Sequence, residues 1–476
     1  MSSPPSTSPP SAEPTALERG NVLFRQGRRL DALDAFDEAI AREPRSAIAH
    51  SNRAHVLNTL ERYAETVAAA DQALALDAGL YFAWRARGQA LLGLDQPGEA
   101  VDSYRAAVGM AGPAQRAMAQ ADVGLALAAE GRLAEAIAAY DAAETLDPRP
   151  PLIAYRRANA KLLQRDFAGG WDDYEARWRP GLASGPSMGQ LTEDLRARLT
   201  LAPTPADFAG ARVLVIGEQG VGDQIMFASV LPDLIAVAAS VACLVDPRLV
   251  RLVSHAFPQI ELLAGLEPRL LDLTRFDRIV AMGSLPAAFR RTEGDFPGQA
   301  YLRPRPGIAD AWRTRLGPAD GRRRIGLSWR GGVKSTGATA RSMPLKMLRP
   351  LLERPDCAFV SLQYGDVAAD LDAINATLDR PIASFPPGEI DDFEDLAGLI
   401  GALDLVVTVQ TTVAHLSGAL GQPALVMIPR RPEWRYTAQG DHIPWYGSMT
   451  LLRQRDDAGW APVIARAGQV LDAHPR

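Results

Sequence analysis

The chain has 476 residues, 47% of them hydrophobic and 22% charged, with a formal net charge of −5. At about 100–200 residues per domain, that length holds two to four domains with ample apolar material for cores. A mildly acidic chain without a basic block gives no electrostatic case for nucleic-acid binding. Two cysteines, Cys243 and Cys357, lie far apart without metal-ligand spacing, which argues against a disulfide framework and a structural zinc site. Only three of the 51 basic residues are lysines, Lys161, Lys334 and Lys346, so arginine carries nearly all the positive charge.

Residues 1–12 read as a disordered tail. The opening MSSPPSTSPPSAEPT has no cationic start and no apolar core, so it does not read as a signal peptide. The longest apolar stretch, Leu234 to Val245, is too short to span a bilayer. The expectation is a cytoplasmic protein with no membrane span.

Self-comparison finds a 34-residue period. Pro44 and Pro148 end related stretches, and their separation of 104 is three periods plus two residues. With Glu13 as position 1, small residues recur at position 8 as Gly20, Ala54, Gly88 and Gly124. Position 24 gives Phe36, Ala70, Tyr104 and Tyr140, and position 27 gives Ala39, Ala73, Ala107 and Ala143. These signs resemble the tetratricopeptide repeat. They imply a superhelix over 13–180, four helical hairpins plus a degenerate fifth unit in which Tyr174 and Trp178 cap the stack. Such an array has a concave groove suited to a peptide or helix of another protein, and it can equally be a spacer or dimerisation arm. His50, Asn52, Arg53, Trp84, Arg87 and Gln120, on first helices, are the candidate partner contacts.

Residues 181–210 are linker chemistry, GLASGPS and LAPTPADFAG around a short helical run from Leu191 to Leu199. From Arg212 the period changes. RVLVIGEQGVGD is a β-branched run ending in glycines, and VACLVD, IELLAG and FDRIVAMG follow as further short strands. A second unit starts at RRIGLSWRGG and continues through CAFVSLQYGD, LDLVVTVQTTVAHLSGAL and PALVMI. Two tandem α/β units, 211–305 and 306–476, place the carboxyl ends of two strand sets around one cleft.

Four short motifs are set aside. Gly217-Glu-Gln-Gly-Val-Gly-Asp, with Asp246 downstream, has the wrong glycine spacing for a dinucleotide fingerprint. Val333 separates Gly332 from Lys334, which breaks a P-loop. Asp370-Leu-Asp372 falls on a helical pattern as a solvated face. Asp391-Asp-Phe-Glu-Asp supplies a helix cap and an acidic first turn.

The ordered set GEQGVGDQIMFASVLP, FDRIVAMGSLP, GLSWRGG with RSMPL, VSLQYGD, LDLVVTVQTTVAHLSGALGQP, PEWR and PWYGSM resembles the GT-B glycosyltransferases of the heptosyltransferase-like group. The resemblance covers 211–476 and implies a pair of Rossmann-like domains behind the repeats. It implies that Asp223 is the base for the acceptor hydroxyl, a poor nucleophile until its proton has somewhere to go; a helix-capping role for Asp223 is the alternative. Gln219 and Gly220 shape the same loop. Thr411 and Thr412 open a helix after a strand and form a phosphate cradle, with His415 one turn in. Arg330, Lys334 and Arg341 are the candidate phosphate cations.

The family usually carries Asp where this chain has Gln410. A dead transferase kept as a binding module, or a different donor, would each explain the change. An acidic sugar fits the second, because a carboxylate beside a donor carboxylate costs like-charge repulsion that a neutral amide does not; Arg330, Arg430 or Arg431 would then be its counter-charge. Repeat-bearing transferases of this kind include bacterial flagellin glycosyltransferases, which add a nonulosonic sugar such as pseudaminic acid from its CMP form. The resemblance therefore implies a metal-independent, inverting protein O-glycosyltransferase without a cofactor, using a CMP-sugar or, alternatively, a UDP-hexosamine, with flagellin as candidate acceptor. A non-catalytic repeat scaffold with a degenerate transferase domain, or transfer to lipopolysaccharide, are the competing readings.

Overall fold

The computed structural model describes residues 14–182, 193–263, 271–332, 338–386, 388–390, 392–455 and 459–473. The tail 1–12, Lys334 and the GPS of the linker lie outside the described residues. The chain divides after Arg157 into two compact units.

The first unit is a run of paired helices: α1 (Ala16–Arg25), α2 (Arg29–Arg42), α3 (Ala47–Thr59), α4 (Tyr63–Leu76), α5 (Tyr81–Gly93), α6 (Pro97–Met110), α7 (Arg116–Glu130), α8 (Leu133–Leu146) and the start of α9 (Pro151–Leu163). The positions picked out by the period meet across each hairpin. A Cβ on Gly20 would lie 2.6 Å from the Phe36 ring, on Gly88 2.9 Å from Tyr104, and on Gly124 2.8 Å from Tyr140. An aromatic ring thus lies on a bare backbone, which sets how closely the two helices cross. Ala54 and Ala70, both fully buried, do the same job with two small residues. The period is also written in the backbone. The turn between paired helices carries a left-handed residue at Gly27, Glu61, Asp95, Gly131 and Arg165, with φ of 78°, 60°, 65°, 86° and 66°.

The second unit holds two parallel sheets. The first has order β3-β2-β1-β4, from β1 (Arg212–Ile216), β2 (Ser240–Leu244), β3 (Glu261–Leu262) and β4 (Arg278–Ala281). Residues Arg212 to Ile216 pair in register with Ser240 to Leu244. The second has order β6-β5-β7-β8-β9, from β5 (Arg323–Ser328), β6 (Cys357–Ser361), β7 (Leu405–Val409), β8 (Ala424–Ile428) and β9 (Met449–Arg453). The strands from RVLVI to PALVMI fall where the apolar runs put them. The last strand, β9, lies after PWYG in a stretch without a continuous apolar run. Its burial pattern mixes buried and half-buried residues, and Thr450 interrupts the apolar run. Cys243 and Cys357 are buried free thiols.

Two expected boundaries move. The fifth repeat hairpin, the end of α9 with α10 (Phe167–Tyr174), belongs to the second unit. Trp171 is 1% exposed, its ring edge-on to Trp434 and Trp445 at 5.5 and 6.2 Å and to Phe227 at 6.5 Å. Tyr174, expected to cap the repeats, is fully buried in the same cluster, 5.7 Å from Trp434. The half-buried Trp178, expected as the other cap, lies under the Arg177 guanidinium at 4.8 Å. Tyr174, which reads as part of a repeat terminus, is therefore a core residue of the α/β unit together with Trp171. The linker also ends early. Leu195 and Phe208 are fully buried, and Leu199 bridges to Ile279 of β4, so the described stretch from 193 is part of the first sheet's packing.

Candidate functional site

The loop after β1 opens the helix Val221–Phe227, and the loop after β7 opens the helix Thr412–Ala419. These two helix starts, at the carboxyl ends of strands in different sheets, meet at Gly222. A Cβ there would lie 3.3 Å from both Thr412 Oγ1 and His415 Cδ2. The third glycine of the GEQGVGD run thus lies at a tight contact between these two helices. Gln219, in the same loop, has φ of 64°, a left-handed conformation uncommon for a non-glycine residue.

Asp223 sits at this junction with 16% of its side chain exposed. Its Oδ2 accepts from the Gly220 amide at 3.0 Å, which caps its own helix, and its Oδ1 accepts from Arg435 Nε at 2.5 Å. Arg435 also reaches Gln219 Oε1 at 3.4 Å and Glu433 at 3.2 Å, and it lies over the Trp434 ring at 4.7 Å. Glu433 in turn pairs with Arg341 at 2.7 Å. The result is an alternating row, Asp223, Arg435, Glu433, Arg341, running from the first sheet's helix to the second sheet's loop. Sequence reading missed Arg435 and Glu433 as site residues, although the PEWR string that contains them was one of the markers.

The expected cations are mostly spoken for. Arg341 is held by Glu433, and Arg330 pairs with Asp370, so the helical Asp370 is an ion-pair partner as well as a surface residue. Arg430 is exposed and Arg431 half-buried in the loop after β8. The loop bearing Arg330 is fixed by Gln363, whose Oε1 accepts from the amides of Trp329 at 2.9 Å and Arg330 at 2.8 Å. Gly331 then comes so close to β7 that a Cβ would lie 2.5 Å from the Gln410 carbonyl.

Thr411 is the cap of the helix Thr412–Ala419, its hydroxyl accepting from the Val413 amide at 3.1 Å. The first amides of an α-helix have no partner within the helix, and its dipole favours an anion there. Gln410, just before this cap, is 1% exposed, and neither its Oε1 nor its Nε2 has a hydrogen-bond partner. Trp329, one strand over and fully buried, has an unpartnered Nε1 as well. Leaving one such buried group unsatisfied costs about 1–3 kcal/mol.

His415 is fully buried between two phenols, Nδ1 3.1 Å from Tyr446 and Nε2 3.2 Å from Tyr436. Burial pushes it down to about 4, and Arg435 and Arg341 add to the fall while Asp223 opposes it. It is a neutral linker in this network, and burial raises the pKa of both tyrosines. Asp246, after β2, accepts from Arg248 Nε at 2.9 Å and from its amide at 3.0 Å, and Asp392 caps the helix Phe393–Gly401.

In the repeats, the six expected partner contacts do not share one face. His50 and Arg53 line a depression between two second helices, with Asp37 and Ile40 of α2 and Ala69 and Gln72 of α4, and Gln120 lines the equivalent one with Arg105 of α6 and Glu135 of α8. Arg53 pairs with Asp37 at 2.6 Å and Arg87 with Asp71 at 2.8 Å, which Arg157 and Asp141 repeat at 2.7 Å. These are ion pairs between successive repeats. Trp84 packs on Tyr81 and Ala107 and donates to the Ala78 carbonyl. Only Asn52, bonded to Asn21 at 2.9 Å, lies in the row that first helices present to one another. That row continues through Phe24 and His55, 5.0 Å apart, to Asp122, which holds Arg85 at 2.6 Å and Arg156 at 3.1 Å.

A family model of the tetratricopeptide repeat matches residues 17–80 and 85–151, so the helical hairpins are tetratricopeptide repeats. Protein FlbA of Caulobacter vibrioides is 27% identical over 486 residues, taking in 97% of this chain and 79% of FlbA. The DnaJ homolog subfamily C member 7 homolog of Schizosaccharomyces pombe is 35% identical over 94 residues, 19% of this chain and 20% of that protein. Among solved structures, YrrB, a TPR protein with an unusual peptide-binding site, is 24% identical with a TM-score of 0.28, covering 31% of this chain and 74% of YrrB. A thermophilic TPR protein of Thermus thermophilus is 20% identical at a TM-score of 0.30, over 38% of this chain and 93% of that one. No helix among the described residues is long and apolar enough to cross a membrane.

Proposed function

We propose that the chain is a GT-B protein O-glycosyltransferase whose repeats bind the acceptor protein, flagellin being the candidate, and whose α/β unit takes the sugar from a CMP-activated nonulosonic acid such as pseudaminic acid. The observation that carries the reading is Gln410: a buried amide with both polar atoms unpartnered, set at the start of an eight-residue helix at the carboxyl end of β7. A ligand that completes its hydrogen bonds is one reason for a fold to retain such a costly group. The neutral amide suits a donor that carries its own carboxylate, and the helix start beside it suits the donor phosphate. In the reaction the acceptor hydroxyl oxygen bonds to the anomeric carbon, the bond from that carbon to the phosphate oxygen breaks, CMP leaves, and Asp223 receives the hydroxyl proton.

One observation favours a second reading. Asp223 is gripped by Arg435, and Arg341 and Arg330 are already matched by carboxylates, which is the pattern of a junction kept for structure. A thermal-shift series with CMP, UDP, GDP and ADP separates the readings. CMP should raise the melting temperature of the wild-type chain most. Gln410→Leu should melt higher than wild type without ligand, since it removes an unsatisfied buried amide worth about 1–3 kcal/mol, and should lose the CMP response. A preference for UDP points to a hexosamine donor, and no response to any nucleotide supports the scaffold.

A further inference from the structure

The α9–α10 hairpin reaches both sheets of the α/β unit. On the first-sheet side, Arg177, just after α10 and fully buried, forks onto Glu218 of the β1 loop at 2.7 and 3.2 Å and onto Glu175 at 2.6 Å. Ser284, beyond β4, joins the same group at 2.8 Å. On the second-sheet side, the Leu163 carbonyl accepts from the Ala438 amide at 2.9 Å, and Trp171 packs on Trp434. Between these two anchorages stands Tyr174. Its hydroxyl lies 3.0 Å from Gln219 Oε1 and 2.8 Å from Gln219 Nε2, and the same Gln219 oxygen faces Arg435.

We propose that Tyr174 is a positioning residue of the site. The hydroxyl it supplies from the end of α10 holds the left-handed Gln219, and Gln219 with Arg435 sets Asp223. Three observations converge on this. Gln219 has a left-handed backbone conformation that is disfavoured for a residue with a side chain. Its side chain is satisfied by Tyr174 on one side and Arg435 on the other. Arg435 and Trp434 lie on the segment that the hairpin braces through Leu163 and Trp171. A residue in the part of the sequence that reads as a repeat thereby enters the site at Asp223. The importance of that site rests on the transferase reading; the positioning itself does not.

The test is a double-mutant cycle in the full-length chain with Tyr174→Phe, Gln219→Ala and the pair, read by hydrogen–deuterium exchange of the peptide over 217–224 and by CMP affinity. Tyr174→Phe keeps the ring and its packing and removes only the hydroxyl. Each single variant should speed exchange in that peptide by about three- to tenfold, the worth of one or two hydrogen bonds, with the β7 and repeat peptides unchanged. The double variant should exchange no faster than Gln219→Ala alone, because Tyr174 acts through Gln219. CMP affinity should fall in the same order. Exchange equal to wild type in Tyr174→Phe, or additive effects in the double variant, would overturn the proposal. If CMP binds none of the four proteins, the exchange result still decides the positioning, and the failure belongs to the CMP reading.

Discussion

His415 shows what single-residue reading reaches and where it stops. Its place one turn into the helix after β7 follows from the sequence, but its chemistry does not, because both hydroxyls that flank it come from the distant PEWRY and PWYG stretches. Fully buried, it is held near 4 against an ordinary 6.5 in the unfolded chain. The unfolded chain therefore takes up the proton first, and stability falls as pH drops from about 6.5 toward 4, by roughly 3 kcal/mol in all for this one group. His415→Gln keeps one donor and one acceptor between the phenols. Denaturant midpoints at pH 7 and pH 4.5 should show the variant losing less stability over that interval than wild type, by about 2 kcal/mol. An equal loss in both would mean that His415 is not neutral in the fold. Asp223 follows the same logic: its glycine-rich loop was legible, whereas Arg435, 212 positions away, becomes its partner only through the topology.

At the scale of elements, the 34-residue period fixed the hairpins because rings on bare backbone and small residues at crossings leave a local signature in sequence. Side-chain direction was less legible. His50, Arg53, Arg87 and Gln120 lie on the expected helices but turn to the second helices, while Asn52, one residue from Arg53, turns to the neighbouring first helix. Adjacent helical residues point about 100° apart, so naming the helix does not name the face. The α9–α10 hairpin keeps the repeat's left-handed turn at Arg165, so its local sequence still reads as a repeat even though its aromatic residues bury elsewhere. Its place in the fold predicts how the chain tolerates cutting. A fragment 151–476 keeps Trp171, Tyr174 and Arg177 and should unfold cooperatively on heating. A fragment 181–476 loses them, and truncating one buried aromatic alone costs about 3–5 kcal/mol, so it should be molten or aggregated by near-UV circular dichroism and gel filtration. Equal behaviour of the two fragments would contradict the assignment of the hairpin to the α/β unit.

For the whole molecule, tetratricopeptide repeats followed by two parallel sheets give one part suited to holding a protein and another suited to a ligand at strand ends. Their order along the chain could be read from composition and period, because both leave continuous local patterns. The pairing of charges at the strand ends could not, since Asp223, Arg435, Glu433 and Arg341 are assembled from three separate stretches. In the proposed activity a sugar moves from a nucleotide to a protein. The most direct measurement is the intact mass of purified flagellin incubated with CMP-pseudaminic acid and either the wild-type chain or Asp223→Ala. Transfer should raise the mass by whole nonulosonic residues with wild type and not with Asp223→Ala, and both proteins should retain flagellin in a pull-down. Flagellin that binds both but gains no mass from either would contradict it and leave the chain a scaffold.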